Sequence, residues 1–211
     1  MLLALLCGLL SVPVLADGTA AAGETMQVAA KAAVLVDEDT GTVLYALNEH
    51  TELYPASLTK IMTALLVLEA VDSGKLSLDQ ELTASSAALA GLDTGGSTAG
   101  IKAGETLSVR NLLYCMLVVS ANEACNILAE AVSGDISAFV DAMNAKAEEL
   151  GCKNTHFVNA TGLHDSQHYT SAWDLYLIAR EALTHQEFLT ICDTADVVIP
   201  ATNLSAQRHL Y

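Results

Sequence analysis

The chain has 211 residues, enough to bury one full core, alone or with a small satellite. Its formal net charge is −16, with every charged residue after Ala16, which argues against nucleic acid or anionic lipid as a partner. Hydrophobic residues make up 52%, but most are alanine and leucine in helical patterns broken by charges, so no internal membrane span is expected.

Met1 to Leu10 is apolar apart from Gly8, and Val14-Leu15-Ala16 sets small residues before Asp17 as signal peptidase requires. Residues 1–16 therefore read as a secretory signal peptide, although no Lys or Arg precedes the apolar stretch. Cys7 invites comparison with a lipoprotein anchor, but the leucine before it does not suit one. Residues 17–29 are small and polar and read as a linker, leaving 30–211 as the folded domain.

Ala32 to Val36 and Thr42 to Ala46 read as two strands around the turn Asp37-Glu38-Asp39-Thr40-Gly41, so a hairpin opens the domain. From Pro55 the chain turns into a helix expected over Ser57 to Ser73 and stopped by Gly74. That helix carries no charge between Lys60 and Glu69, and a helix apolar nearly all round belongs inside a core. Residues three apart share a helical face, so Ser57 and Lys60 stand side by side at its start. Burial and the helix N-terminus both disfavour a charged Lys60, and a neutral lysine beside a serine hydroxyl is a general base beside a nucleophile.

Residues 75–106 lose helical periodicity and collect glycine, serine and threonine, an irregular excursion with room for short strands. Gly95-Gly96 lacks the Gly-Lys-Ser/Thr that would make it a phosphate loop. Leu107 to Val119 reads as a second apolar helix with Thr106 and Ser108 as candidate caps. It breaks at Ser120-Ala121-Asn122 before helices over 123–132 and 135–150, each followed by a glycine stop. Ser120 at that break can relay a proton to a leaving nitrogen, and Asn122 can hold the lysine and a substrate amide, although a helix cap alone would also explain both residues.

Asn154 to Leu163 reads as a loop. His164 and His168, four apart around Asp165, would suit a metal on a helix, but Gly162 and the surrounding polar residues make this a loop too, so no metal site is expected. Ser171 with Asp174 three residues on forms a capping box for a helix to about Leu183, and Asp196 to Pro200 resembles a strand. Five cysteines, one of them Cys7, leave Cys115, Cys125, Cys152 and Cys192 without a close metal-binding pair; they read as small core residues, with a disulfide as the alternative.

These motifs resemble the serine-type D-alanyl-D-alanine carboxypeptidases, the low-molecular-weight penicillin-binding proteins of peptidase family S11. The resemblance covers Asp39-Thr40-Gly41, Tyr54 to Lys60, Val119 to Ala124, Phe157 to Leu163 and His168 to Asp174, most of residues 30–203. It implies a penicillin-binding transpeptidase-like α/β fold (α+β), with an antiparallel sheet, formed partly by the opening hairpin, packed against a helical cluster and the site at their junction. It implies Ser57 as the acylated nucleophile, Lys60 as general base, Ser120 as proton relay and Asn122 as substrate-binding, with the Ser57 N–H as an oxyanion donor. The implied reaction removes the terminal D-alanine of a peptidoglycan stem pentapeptide through an acyl-enzyme that β-lactams also form, without a cofactor or metal, in the bacterial envelope.

The family's third motif, Lys-Thr-Gly, is expected roughly a hundred residues after the second, and no Lys-Thr-Gly occurs here. The resemblance thus implies a catalytic domain incomplete at its C-terminus, with its last strands and any membrane attachment in the missing region. A D,D-endopeptidase and a catalytically inactive cell-wall or penicillin-binding fragment are the alternatives. A class A β-lactamase would need a glutamate on the loop after the second motif, and Cys152 to Gln167 has none.

Overall fold

The computed structural model describes residues 28–92 and 96–211; the signal-peptide reading, most of the 17–29 linker and Gly95 lie outside the described residues. A helix apolar on nearly every face is stable only when surrounded, and α1 (Thr59–Asp72) is surrounded. Ten of its 14 residues are buried, Lys60 and Thr63 among them. Around it lie α2 (Val109–Val118), α3 (Asn122–Ser133), α4 (Ile136–Glu149), α5 (Ala172–Ala182) and α6 (Gln186–Cys192), all five of which touch it. Met62, Leu65 and Leu68 of α1 meet Leu112, Leu113 and Met116 of α2 and Leu128 of α3 in one continuous core.

The opening hairpin forms as the sequence predicts, with β1 (Ala33–Asp37) antiparallel to β2 (Thr42–Leu47). The Asp37 carboxylate accepts from the Thr40 N–H at 2.8 Å and its hydroxyl at 2.6 Å, and Gly41 takes the left-handed φ of +68° that closes the turn. A register shift between Leu35 and Val36 bends the strand, and β1 packs on α5. The irregular 75–106 stretch contains β3 (Glu81–Thr83), paired with β4 (Thr106–Ser108). Leu107 is therefore strand, not helix, and of the two candidate caps Ser108, not Thr106, caps α2 by accepting from the Asn111 N–H at 3.2 Å. The strand read near residue 197 is β5 (Val197–Ile199), and its partner β6 (Arg208–Leu210) is not evident in the sequence. The described residues thus hold three separate two-stranded antiparallel sheets rather than one continuous sheet.

Several expectations need adjustment. Ser57 lies on a 3-10 turn, Ala56–Leu58, whose first residue takes a left-handed φ of +48°, and the α-helix begins at Thr59. The Ser171–Asp174 capping box is half formed. The Ser171 hydroxyl accepts from the Asp174 N–H at 3.1 Å, but the Asp174 carboxylate instead receives the Lys153 and Asn154 N–H groups and the Thr155 hydroxyl. Cys115 and Cys125 are core residues and Cys152 is half-buried, whereas Cys192, at the end of the short α6, is exposed; all four are free thiols. No helix among the described residues is long and apolar enough to cross a membrane.

The central position of α1 predicts a contrast between two leucines seven residues apart. Leu65→Ala, at a fully buried site, is expected to lower unfolding free energy by about 2–5 kcal/mol, whereas Leu58→Ala, at a site 52% exposed, should change it by less than about 0.5 kcal/mol. Urea denaturation measures both, and equal losses would contradict α1 as the helix around which the core is built.

Candidate active site

The 3-10 turn before α1, the break between α2 and α3, and the loop over residues 157–163 converge on the Lys60 amine. Lys60 is 3% exposed, and its Nζ lies 2.6 Å from the Thr161 carbonyl, 2.9 Å from Asn122 Oδ1 and 3.3 Å from Ser57 Oγ. Ser120 Oγ donates to Ser57 Oγ at 2.9 Å. The four residues expected from the sequence therefore form one connected network, with a difference for Ser120: its direct partner is Ser57, not Lys60.

Burial lowers the Lys60 pKa from 10.5, against the opposing influence of Cys125 and Glu123. Desolvation is the main cause, and it favours the neutral amine. A neutral amine has two hydrogens and one lone pair. The Asn122 and Thr161 carbonyl oxygens can take both hydrogens, which turns the lone pair to Ser57. The hydroxyl chain can then run in one direction, Ser120 to Ser57 to Lys60. Ser57 itself is exposed, so a hydroxyl open to solvent sits on an amine that is not.

Two left-handed residues build this geometry. Ala56, at φ +48°, points the 3-10 turn so that Ser57 overhangs Lys60, and Ser120, at φ +60°, turns the chain between α2 and α3. Conformations of this kind cost about 1–3 kcal/mol each and persist only where their surroundings fix them. At Ala56 that support is Gly162. A Cβ on Gly162 would lie 1.9 Å from the Ala56 carbonyl oxygen and 3.0 Å from the Ser57 nitrogen, so backbone rests directly on backbone and only glycine fits.

The loop bearing Thr161 and Gly162 is held from several sides. Asn159 Oδ1 accepts from the N–H groups of Thr161 and Gly162, Asn144 of α4 bonds both the N–H and the carbonyl of Phe157, and the Thr63 hydroxyl donates to the Ala160 carbonyl at 2.7 Å. His168 completes the clamp. Its Nδ1 accepts from the Val158 N–H at 3.1 Å and its Nε2 lies 2.7 Å from the Thr59 hydroxyl, one residue from Lys60. Both ring nitrogens are thus engaged with protein, and His164 instead sets its ring edge-on to exposed Tyr54. Among the described residues no group of three or more His, Cys, Asp or Glu side chains is placed to hold a metal.

Thr161, Gly162 and His168 were given no role from sequence. A backbone carbonyl has no residue signature, and the only available hint was a glycine in a polar loop carrying the family pattern.

The mixed fold of helices and antiparallel strands around this hydroxyl and buried amine is that of the penicillin-binding proteins. The chain belongs to the D-alanyl-D-alanine carboxypeptidase family, peptidase S11, whose sequence profile matches residues 18–206. It is 42% identical over 165 residues to the D-alanyl-D-alanine carboxypeptidase DacF of Bacillus subtilis, covering 78% of this chain and 42% of that one. The crystal structure of the D-alanyl-D-alanine carboxypeptidase DacD from Francisella tularensis superimposes with a TM-score of 0.77 at 40% identity, over 82% of this chain and 41% of that one. A D-alanyl-D-alanine endopeptidase of Pseudomonas aeruginosa is 39% identical over 137 residues, covering 65% of this chain and 42% of that one. The chain spans about two fifths of the length of these relatives.

The buried His168 makes a pH prediction. Desolvation lowers its pKa to about 4 from 6.5, with Asp165 opposing and His156 adding to the shift. Above pH 6.5 the ring is neutral folded or unfolded; below it the unfolded chain takes up a proton that the folded one refuses, so stability falls between pH 6.5 and about 4. Urea midpoints across that range should drop, by up to about 3 kcal/mol in free energy, with a shallower slope in His168→Gln. An unchanged slope in that variant would contradict a neutral His168 clamp.

Proposed function

We propose that the protein is a serine-type D-alanyl-D-alanine carboxypeptidase of the bacterial cell envelope. The observation that carries this reading is the buried Lys60 amine, within hydrogen-bond reach of Asn122, the Thr161 carbonyl and the Ser57 hydroxyl at once. In this reading Ser57 Oγ attacks the carbonyl carbon of the penultimate D-alanine as its proton passes to Lys60 Nζ. The oxyanion is received by the Ser57 N–H, which makes no hydrogen bond to another described residue. Collapse of the intermediate breaks the C–N bond, and the proton returns from Lys60 through the Ser120 hydroxyl to the departing D-alanine nitrogen. Water then attacks the acyl-enzyme ester, Lys60 takes its proton, and Ser57 Oγ is reprotonated as it leaves.

A β-lactam enters the same first step, its ring amide replacing the peptide bond, and stays attached as an acyl group. Asn122 holds Lys60 with its oxygen and is available to a substrate amide. Residues 1–16 act as an export signal and 17–29 as a linker, with 30–211 contributing the nucleophile, base and relay of the catalytic domain.

An endopeptidase acting on cross-links is the second reading, favoured by the similarity to the Pseudomonas aeruginosa endopeptidase. The acyl donor is the same and only the departing amine differs. Supplied with a stem-peptide mimic ending in D-Ala-D-Ala and with a cross-linked dimer, the full-length protein should release D-alanine faster than it cleaves the dimer; the reverse order would favour the endopeptidase. Lys60→Arg keeps a cation that cannot act as a base, so penicillin acylation should fall at least about 100-fold with the fold intact. Acylation near the unsubstituted rate would show that another group takes the Ser57 proton.

A further inference from the structure

Glu123 follows Asn122 on the first turn of α3, where a carboxylate is ordinarily a solvated partner of the helix N-terminus. Here it is 3% exposed and turns back onto the preceding loop. Its Oε1 accepts from the Thr98 hydroxyl at 2.7 Å, the Ala99 N–H at 2.8 Å and the Ile101 N–H at 3.3 Å. The same loop is tied to the site a second time, because the Asn122 N–H donates to the Ser97 carbonyl at 3.0 Å. Asn122 Oδ1 in turn holds Lys60. One carboxylate oxygen thus fixes the loop on which the backbone of a Lys60 ligand rests.

We propose that Glu123 is a positioning residue of the acylating site, pinning the 97–101 loop behind Asn122 through one carboxylate oxygen and so fixing the amide that holds the buried Lys60 amine. The inference rests on the acylation reading above and extends it to a residue that contacts neither substrate nor nucleophile. Glu123→Gln keeps an oxygen for Thr98, Ala99 and Ile101; Glu123→Ala removes it.

The test reads backbone amide exchange at Ala99 and Ile101 beside the rate of penicillin acylation. In Glu123→Ala amide exchange should accelerate at least about tenfold and acylation should slow at least about tenfold, because Asn122 and the amine it holds lose their backing. Glu123→Gln, which keeps the accepting oxygen, should rescue most of both. Undiminished protection or an unchanged acylation rate in a folded Glu123→Ala, or no rescue by Glu123→Gln, would overturn the proposal. Failure of the unsubstituted full-length protein to be acylated by penicillin would count against the acylation reading instead.

Discussion

An amine buried in a protein interior must be neutral, paired, or both, and the site follows from how Lys60 meets that requirement. Its surroundings provide carbonyl oxygens and a hydroxyl rather than a carboxylate in contact. Two carbonyls can hold a neutral –NH2 without forcing it to keep a third proton, whereas a carboxylate in contact would stabilise the ammonium and remove the base. Glu123, the next residue after Asn122, spends its bonds on the 97–101 loop. The position of α1, wrapped by the five other helices, is what makes the requirement unavoidable.

The surrounding structure maintains that environment against local preference. Ala56 and Ser120 hold left-handed conformations that neither residue favours, and each sits at or beside one of the two hydrogen-bonded hydroxyls. Gly162 lies against the first, and the bonds of Asn159, Asn144, Thr63 and His168 keep the glycine loop in place. A displacement of about 1 Å in such a site can reduce rate 100-fold, so residues far from the chemistry in sequence contribute to it through position.

The chain disclosed some of this and withheld the rest for physical reasons. Ser57 and Lys60 were legible because spacing of three brings side chains together in a 3-10 turn nearly as in an α-helix. The Ser120-Ala121-Asn122 break stood out between two apolar runs, and the hairpin announced itself through two short apolar runs around an acidic turn closed by Gly41. The Thr161 carbonyl, by contrast, is backbone, and its approach to Lys60 spans 101 residues of sequence. Glu123 looks like any acidic residue in a first helical turn until its three donors are seen. The partner of β5 was hidden because β6 is three residues long and includes Arg208, which joins the buried Glu105 across 103 residues, an interaction no local pattern encodes.

The central claim is that the exposed Ser57 hydroxyl, not another serine, is activated by the buried amine beneath it. Mass spectrometry of peptides from the full-length protein after brief exposure to labelled penicillin measures this directly. The account predicts a single adduct, on the peptide containing Ser57, abolished in Ser57→Ala. An adduct on Ser120 or any other residue, or labelling that survives in Ser57→Ala, would contradict it.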